Sequence, residues 1–143
     1  MIRKATAVWR GSGRAGDGDL STDSGVLAKT PYSYRTRFEN EKGTNPEELI
    51  AAAHAGCFAM SLAAELSRLR LEPRRLSVSA TCVMDEVEGK GHLVVASELR
   101  VRADVPGLEA AILDEAVARA DAGCPISTLI RGTATVELAY ELV

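Results

Sequence analysis

The sequence predicts an α+β domain: an antiparallel sheet built around one long central helix. Three observations lead there. "NPEELIAAAHAGCFAMSLAAEL", Asn45 to Leu66, reads as a single uninterrupted helix. "RLSVSATCVMDEVEGKGHLVVASELRVRADV" reads as two strands joined by a turn at Glu88 to Gly91. No repeat, low-complexity tract or linker interrupts the 143 residues, so one domain spanning 1–143 is expected.

Taken in order, Met1 to Arg10 alternates well enough for a strand, with Ile2, Lys4, Thr6 and Val8 on one face and Ala5, Ala7 and Trp9 on the other. "GSGRAGDGD" follows as a flexible turn. "LSTDSGVL" and "YSYRTRF" predict two more strands, the first ending near Gly25 and the second following Pro31. The central helix then opens on strong signals. Asn45 is a good N-cap, Pro46 suits the first helical position, and Glu48 completes a capping-box pattern with Asn45. Pro73 stops it, giving a helix from Pro46 to about Arg70, roughly 37 Å long at 1.5 Å per residue. Alanine-rich over most of its length, it is expected to be packed on most sides.

In the strand that follows, Leu76, Val78, Ala80, Cys82 and Met84 share one face. Ala110 to Ala122 predicts a second helix, with Leu108, Ile112, Ala116 and Ala120 at helical spacing and Gly123 as its stop. "PISTLI" predicts a short third helix with Cys124 at its N-cap position, and "TATVELAYEL" a final strand.

Composition narrows the function. Hydrophobic content of 46% with 26% charge is that of a globular protein. A net charge of -3 with no cluster of basic residues leaves no footprint for nucleic acid. "MIRKATAVWR" has no apolar core of a signal peptide, and no unbroken apolar run reaches the roughly 20 residues that span a bilayer. A cytoplasmic protein without a membrane partner is expected. Three cysteines, Cys57, Cys82 and Cys124, are too few and too odd in number for a disulfide scaffold. In a reducing compartment they are buried hydrophobes, metal ligands or redox thiols.

Several motifs fall away. Gly11 to Gly16 matches G-x-G-x-x-G, but no helix can start in "DGDLSTDSG" to hold a pyrophosphate. The same stretch hints at a calcium loop, yet Thr22 stands at the required glycine and the closing glutamate is missing. A zinc site drawn from His54, Cys57, Cys124 and either Cys82 or His92 has one close ligand pair only, His54-x-x-Cys57. No metal and no cofactor is expected. Cys82, on an apolar strand face, reads as a small hydrophobe, and His92 beside a glycine turn as a solvated residue.

Cys57 and Cys124 differ in their electrostatic prospects. Cys124 at a helix N-cap has the helix dipole beside it, which favours a thiolate. Cys57 lies about 16 Å past the start of its helix, where that effect has faded. It needs a cation or it is inert. Glu47, Ile50, His54, Cys57 and Ser61 share one helical stripe, spaced 3, 4, 3 and 4 residues apart. Such polar groups are costly to bury in plain core and suit a pocket or a subunit interface. The nearest basic candidates are Arg35 and Arg37, expected on one face of the preceding strand.

"STDSGVL", "PYSYRTRFENEKGTNPEELIAAAHAGCFAM" and "AGCPIS" resemble the OsmC family, the osmotically induced relatives of the organic hydroperoxide resistance proteins. The likeness runs from "AVWRG" to the last strand. It implies a thiol peroxidase that reduces organic hydroperoxides, and hydrogen peroxide less well, without metal or haem. It also implies an intertwined homodimer. By the resemblance, the peroxidatic cysteine falls on Cys57, the resolving cysteine on Cys124, the arginine on Arg37 and the catalytic glutamate on Glu47. Two departures are minor: Gly56 stands where an alanine would also fit, and Cys82 belongs to no family motif.

The implied chemistry suits the residues. Arg37 would hold Cys57 as thiolate, with Glu47 aiming the guanidinium. Cys57 would become a sulfenic acid and condense with Cys124 to a disulfide, for an external dithiol, of lipoyl type for example, to reduce. The rival is a non-enzymatic dimeric binding or structural domain in which Cys57 is a packing residue. Glu47 and Cys57 are ten residues apart, about 15 Å along the helix and about 80° around it. Composite sites are therefore expected, with Arg37 and Glu47 from one chain and Cys57 and Cys124 from the other.

Overall fold

The computed structural model describes residues 1–143, which divide into two compact units, Met1–Leu49 and Ile50–Val143. In the first, β1 (Ala5–Arg10) pairs antiparallel with β2 (Asp17–Thr22), and β2 with β3 (Thr30–Ser33). Gly16, just before β2, and Gly18, within it, are there for close approach. Gly18 lies opposite Trp9 and Tyr32 in the register. A Cβ at Gly18 would stand 2.3 Å from the Val8 carbonyl and 2.7 Å from the Tyr32 ring. The bare position lets the Trp9 and Tyr32 rings meet across β2 with centroids 5.4 Å apart. The flexible turn is thus shorter than the sequence suggests, and "DGD" belongs to β2.

One strand assignment fails. "YSYRTRF" is not extended: β3 ends at Ser33 and α1 (Tyr34–Phe38) follows. Alternating aromatic and polar residues imitate a strand here, but Ser33 and Thr36 form a reciprocal capping box that starts a helical turn. Arg35 and Arg37 therefore do not share a face. Two residues apart on a helix, they point in nearly opposite directions, Arg35 to Glu41 at 2.7 Å and Arg37 to Glu47.

The long helix α2 (Pro46–Arg68) starts where its caps indicate. The Asn45 side-chain oxygen accepts from the Glu48 amide at 2.8 Å, while the Glu48 carboxylate takes the Thr44 hydroxyl instead of closing the box. It ends two residues before the expected Arg70. Arg70 adopts a left-handed conformation, φ 59°, and the Leu71 and Arg70 amides return to the Leu66 and Ser67 carbonyls, each at 3.0 Å. That geometry is a Schellman stop, and Pro73 lies beyond it.

In the second unit β4 (Arg75–Val87) and β5 (Gly91–Asp104) form the expected antiparallel hairpin. The last strand differs. β6 (Thr135–Leu142) runs parallel to β5, because α3 (Ala110–Gly123) and α4 (Pro125–Arg131) carry the chain back along the sheet before it re-enters. The sheet, in order β4-β5-β6, is mixed. Leu99, Val101 and Ala103 of β5 form the core with Phe58, Leu62 and Leu66 of α2 and Leu113, Ala116, Val117 and Ala120 of α3. Phe58, Leu62 and Leu66 recur every four residues, so they make one stripe.

The rest of α2 is not packed. Ala52, Ala53, Gly56, Met60 and Ala64 are exposed on its opposite side, with Met60 at 76%. A helix expected to be covered on most sides is covered on one. By length and mean hydropathy, 1.5, α2 is also apolar enough to cross a membrane. Single polar residues break the stretch into shorter apolar runs, yet its average stays high.

Candidate active site

Two groups of predicted site residues stand out, one in each unit. In the first, α1 presents Arg37 and the opening turn of α2 presents Glu47. Arg37 Nε donates to both Glu47 oxygens at 3.1 Å, and its Nη2 donates to Oε1 at 2.5 Å. One edge of the guanidinium is thereby fixed in its plane. The Asn45 amide donates to the Thr36 carbonyl at 3.2 Å, tying the N-cap of α2 to α1. Burial pushes the Glu47 carboxyl up, but the hydrogen bonds from Arg37, its own backbone and the Arg37 charge outweigh this and hold it below the ordinary carboxylate value. Arg37 is held above its ordinary value, chiefly by the Glu47 hydrogen bond. Both stay ionised at neutral pH.

In the second unit, Cys57 of α2 and Cys124 at the N-cap of α4 bring their sulfurs to 3.2 Å. Both are free thiols joined by a sulfur–sulfur hydrogen bond rather than a disulfide. Cys57 is half-buried, whereas Cys124 has no exposed surface. Their surroundings act in opposite directions. Burial drives the Cys57 thiol up, and Cys124 adds to this against the pull of the Ile126 amide. For Cys124 burial acts upward too, but hydrogen bonds from the Ser127 amide and hydroxyl, from Cys57 and from the Ile126 amide outweigh it, and its pKa falls. The Ser127 amide reaches the Cys124 sulfur at 3.5 Å, which is the N-cap bond of α4.

His54, three residues before Cys57 on α2, is fully buried. Its Nδ1 lies 2.7 Å from Ser97 Oγ on β5, and its Nε2 lies 2.9 Å from Ser127 Oγ on α4. Burial keeps its pKa below the ordinary histidine value; Asp121 on α3 opposes that and Arg131 on α4 adds to it. The helical stripe places His54 in a pocket or a subunit interface, whereas the structure buries it completely against β5 and α4. Ser97 and Ser127 carried no signal of their own, being 43 and 73 residues away in sequence.

Cys82 faces Ser97 in the β4–β5 register and is half-buried. It lies on the face expected for it but outside the fully buried core. Gly56 is exposed, and a Cβ built there meets nothing within 4 Å, so an alanine fits. No three histidine, cysteine or acidic side chains converge to hold a metal ion.

Beside the thiols runs an apolar cleft of about 410 Å³, lined by Ile50, Ala53, Val94, Ile126, Leu129 and Ile130 among others. Ile126 belongs to both features: it lines the cleft, and its amide lowers the pKa of both thiols. The arrangement can carry out thiol–disulfide chemistry next to an apolar surface.

The chain is similar to known proteins along nearly its whole length. The model of a family described as OsmC-like protein matches residues 39–139. The chain is 41% identical over 140 residues to the peroxiredoxin OsmC of Escherichia coli, covering 98% of this chain and 96% of that one. It is 35% identical over 136 residues to an organic hydroperoxide resistance protein of Xanthomonas axonopodis pv. citri, covering 94% and 89%. Among solved structures, the organic hydroperoxide resistance protein OhrB of Bacillus subtilis superposes with a TM-score of 0.76 at 26% identity, over 96% of this chain and 98% of that one.

Proposed function

The chain belongs to the OsmC family, and from that premise we propose that it is a thiol-dependent peroxidase reducing organic hydroperoxides to alcohols, and hydrogen peroxide less efficiently. The observation that carries this reading is the contact of two free sulfurs at 3.2 Å, one accessible and one fully buried. A hydroperoxide reaches Cys57 first. Its thiolate attacks one peroxide oxygen, the O–O bond breaks, and the departing alkoxide takes a proton and leaves as the alcohol. Cys57 becomes a sulfenic acid. The Cys124 thiolate then attacks that sulfur, the oxygen departs as water, and a Cys57–Cys124 disulfide remains. An external dithiol, for which a lipoyl group is the model, restores both thiols by two exchanges. Such a cycle needs no metal or cofactor and belongs in a reducing cytoplasm.

The cation for Cys57 is Arg37, oriented by Glu47. Burial raises the Cys57 thiol, so a fixed guanidinium is what the first step requires. In this reading Arg37 and Glu47 come from a partner subunit, and residues 1–143 act as one domain completed in a homodimer. The exposed apolar side of α2 supports such an assembly, since a soluble monomer gains nothing from leaving Met60 at 76% exposure among alanines.

The test is consumption of tert-butyl hydroperoxide and cumene hydroperoxide, first with dithiothreitol and then with a lipoyl dithiol as reductant. Turnover of both, faster than of hydrogen peroxide, is expected. An absence of turnover, together with an ordinary alkylation rate at Cys57 across neutral pH, would establish the non-enzymatic alternative.

A further inference from the structure

The buried imidazole has no part in the chemistry described so far, and its surroundings are specific. Three elements meet on it: β5 through Ser97, α2 through His54 itself, and α4 through Ser127. All three side chains are buried, with Ser97, Ser127 and His54 at 0% exposure. A neutral imidazole has one donor and one acceptor nitrogen, and each of these faces one hydroxyl. Ser127 in turn donates its amide to the Cys124 sulfur at 3.5 Å, and its hydroxyl is among the groups that lower the Cys124 pKa.

The directions of these bonds are linked. If Nε2 carries the hydrogen, it donates to Ser127 Oγ, and the Ser127 hydroxyl hydrogen is left for the Cys124 sulfur. Nδ1 then accepts from the Ser97 hydroxyl. In the other tautomer the Ser127 hydroxyl points back at the ring, and the sulfur loses a donor. A thiolate needs donors, and a buried one has no water to supply them.

We propose that His54 is a positioning residue for disulfide closure: held by Ser97 as the Nε2–H tautomer, it turns the Ser127 hydroxyl onto the Cys124 sulfur and so stabilises the thiolate that attacks oxidised Cys57. This rests on the peroxidase reading for its place in the cycle but not for its physical content. The charged groups near the ring are Asp121 on α3 and Arg131 on α4, which pair with each other. They act on His54 in opposite directions, and burial keeps the ring neutral, free to serve as a one-donor, one-acceptor bridge.

Two measurements decide it. The first needs no peroxide. In a Cys57→Ser, Cys82→Ala background Cys124 is the only thiol, and its thiolate absorbance is followed against pH. The midpoint should rise by about one pH unit on Ser127→Ala, and by a similar amount on His54→Gln. The two changes together should add little beyond either alone, because His54 acts through Ser127. Nitrogen chemical shifts of the ring, with His92→Asn to assign the two histidines, should show hydrogen on Nε2 and none on Nδ1 at neutral pH. A hydrogen on Nδ1, or a Cys124 midpoint unmoved by Ser127→Ala, overturns the proposal.

The second measurement is a single turnover of the full protein with cumene hydroperoxide, trapping sulfenic acid with dimedone. Loss of the thiolate of Cys57 should keep its rate in His54→Gln, while disulfide formation slows about tenfold and its pH profile moves upward. Equal slowing of both steps would reduce His54 to a packing residue. If His54→Gln does not fold, Ser127→Ala and Ser97→Ala give the same contrast with smaller changes. A protein that shows the Cys124 shift but no peroxidase activity would overturn the functional reading and leave the relay standing.

Discussion

Cys57 and Cys124 are identical side chains 3.2 Å apart whose surroundings push them in opposite directions. Cys124 sits at a helix N-cap and accepts from the Ser127 amide; Cys57 sits mid-helix and relies on what faces it. Cys57→Ser should therefore abolish turnover. Cys124→Ser should complete the first reduction and then stall, with Cys57 driven on to sulfinic acid, visible as a mass gain at that residue. Cys82→Ala should keep full activity, as measured by steady-state hydroperoxide consumption. Arg37→Lys should be nearly as damaging as Arg37→Ala, because an ammonium cannot present the planar edge that Glu47 holds through Nε and Nη2. The check is the pH at which Cys57 alkylation reaches half its maximum, which should rise in both.

His54 and Glu47 shape stability on the acid side. His54 has a folded pKa below its ordinary 6.5, so as pH falls below that value the unfolded chain takes up a proton that the folded chain refuses. Stability is lost there. Glu47, held below 4.5, contributes stability that is present above 4.5 and lost as pH falls through its lowered value. Chemical denaturation from about pH 8 down to about pH 3, below the ordinary carboxylate value, should show a first decline beginning near the histidine value and a second below the carboxylate value. His54→Gln should flatten that first decline and leave the second.

At the scale of elements, what could be read was what is encoded locally. The start of α2 is written in Asn45 and Pro46, the β4–β5 turn in its glycines, and the start of α4 in Cys124 and Pro125. α1 departs from the strand that the alternation of "YSYRTRF" suggests, because the Ser33–Thr36 box wins once both reciprocal bonds form. β6 runs parallel because its pairing with β5 is settled by packing across two intervening helices, which no local signal records. The site divides in the same way. Cys57 and His54 declare themselves by sharing a helix face, whereas Ser97 and Ser127 become partners of His54 only when the sheet and α4 close over it. The N-cap of α2 matters beyond helix stability, since Asn45 also holds the Thr36 carbonyl. Asn45→Ala should cost about 1–2 kcal/mol in denaturant unfolding, with a fall in activity larger than that of Asn45→Asp, which keeps the cap and loses only the tie to α1.

At the scale of the whole molecule, the question is which chain supplies the guanidinium. Arg37 is bound to Glu47 at the first turn of α2. Cys57 lies ten residues further along the same helix, about 15 Å by the helical rise and about 80° around the axis. A side chain of about six or seven ångströms, anchored at the start of a helix, does not reach that far along it. Two such helices crossing antiparallel on a twofold axis would exchange their ends, so that each Arg37–Glu47 pair comes to the partner's Cys57. The exposed stripe of Ala52, Ala53, Gly56, Met60 and Ala64 offers small residues that let such helices approach closely. Cys57→Ser and Arg37→Ala homodimers should each be inactive. Unfolded together and refolded as a mixture, they should recover activity in the heterodimer, where one of the two sites holds an intact Cys57 and an intact Arg37. Equal amounts give half of the dimers as heterodimers with one working site each, or about one quarter of wild-type activity. Differently tagged subunits, purified over two affinity columns, isolate the heterodimer, whose activity should be half that of wild type. A doubly purified heterodimer without activity would place Arg37 and Cys57 of a working site in one chain.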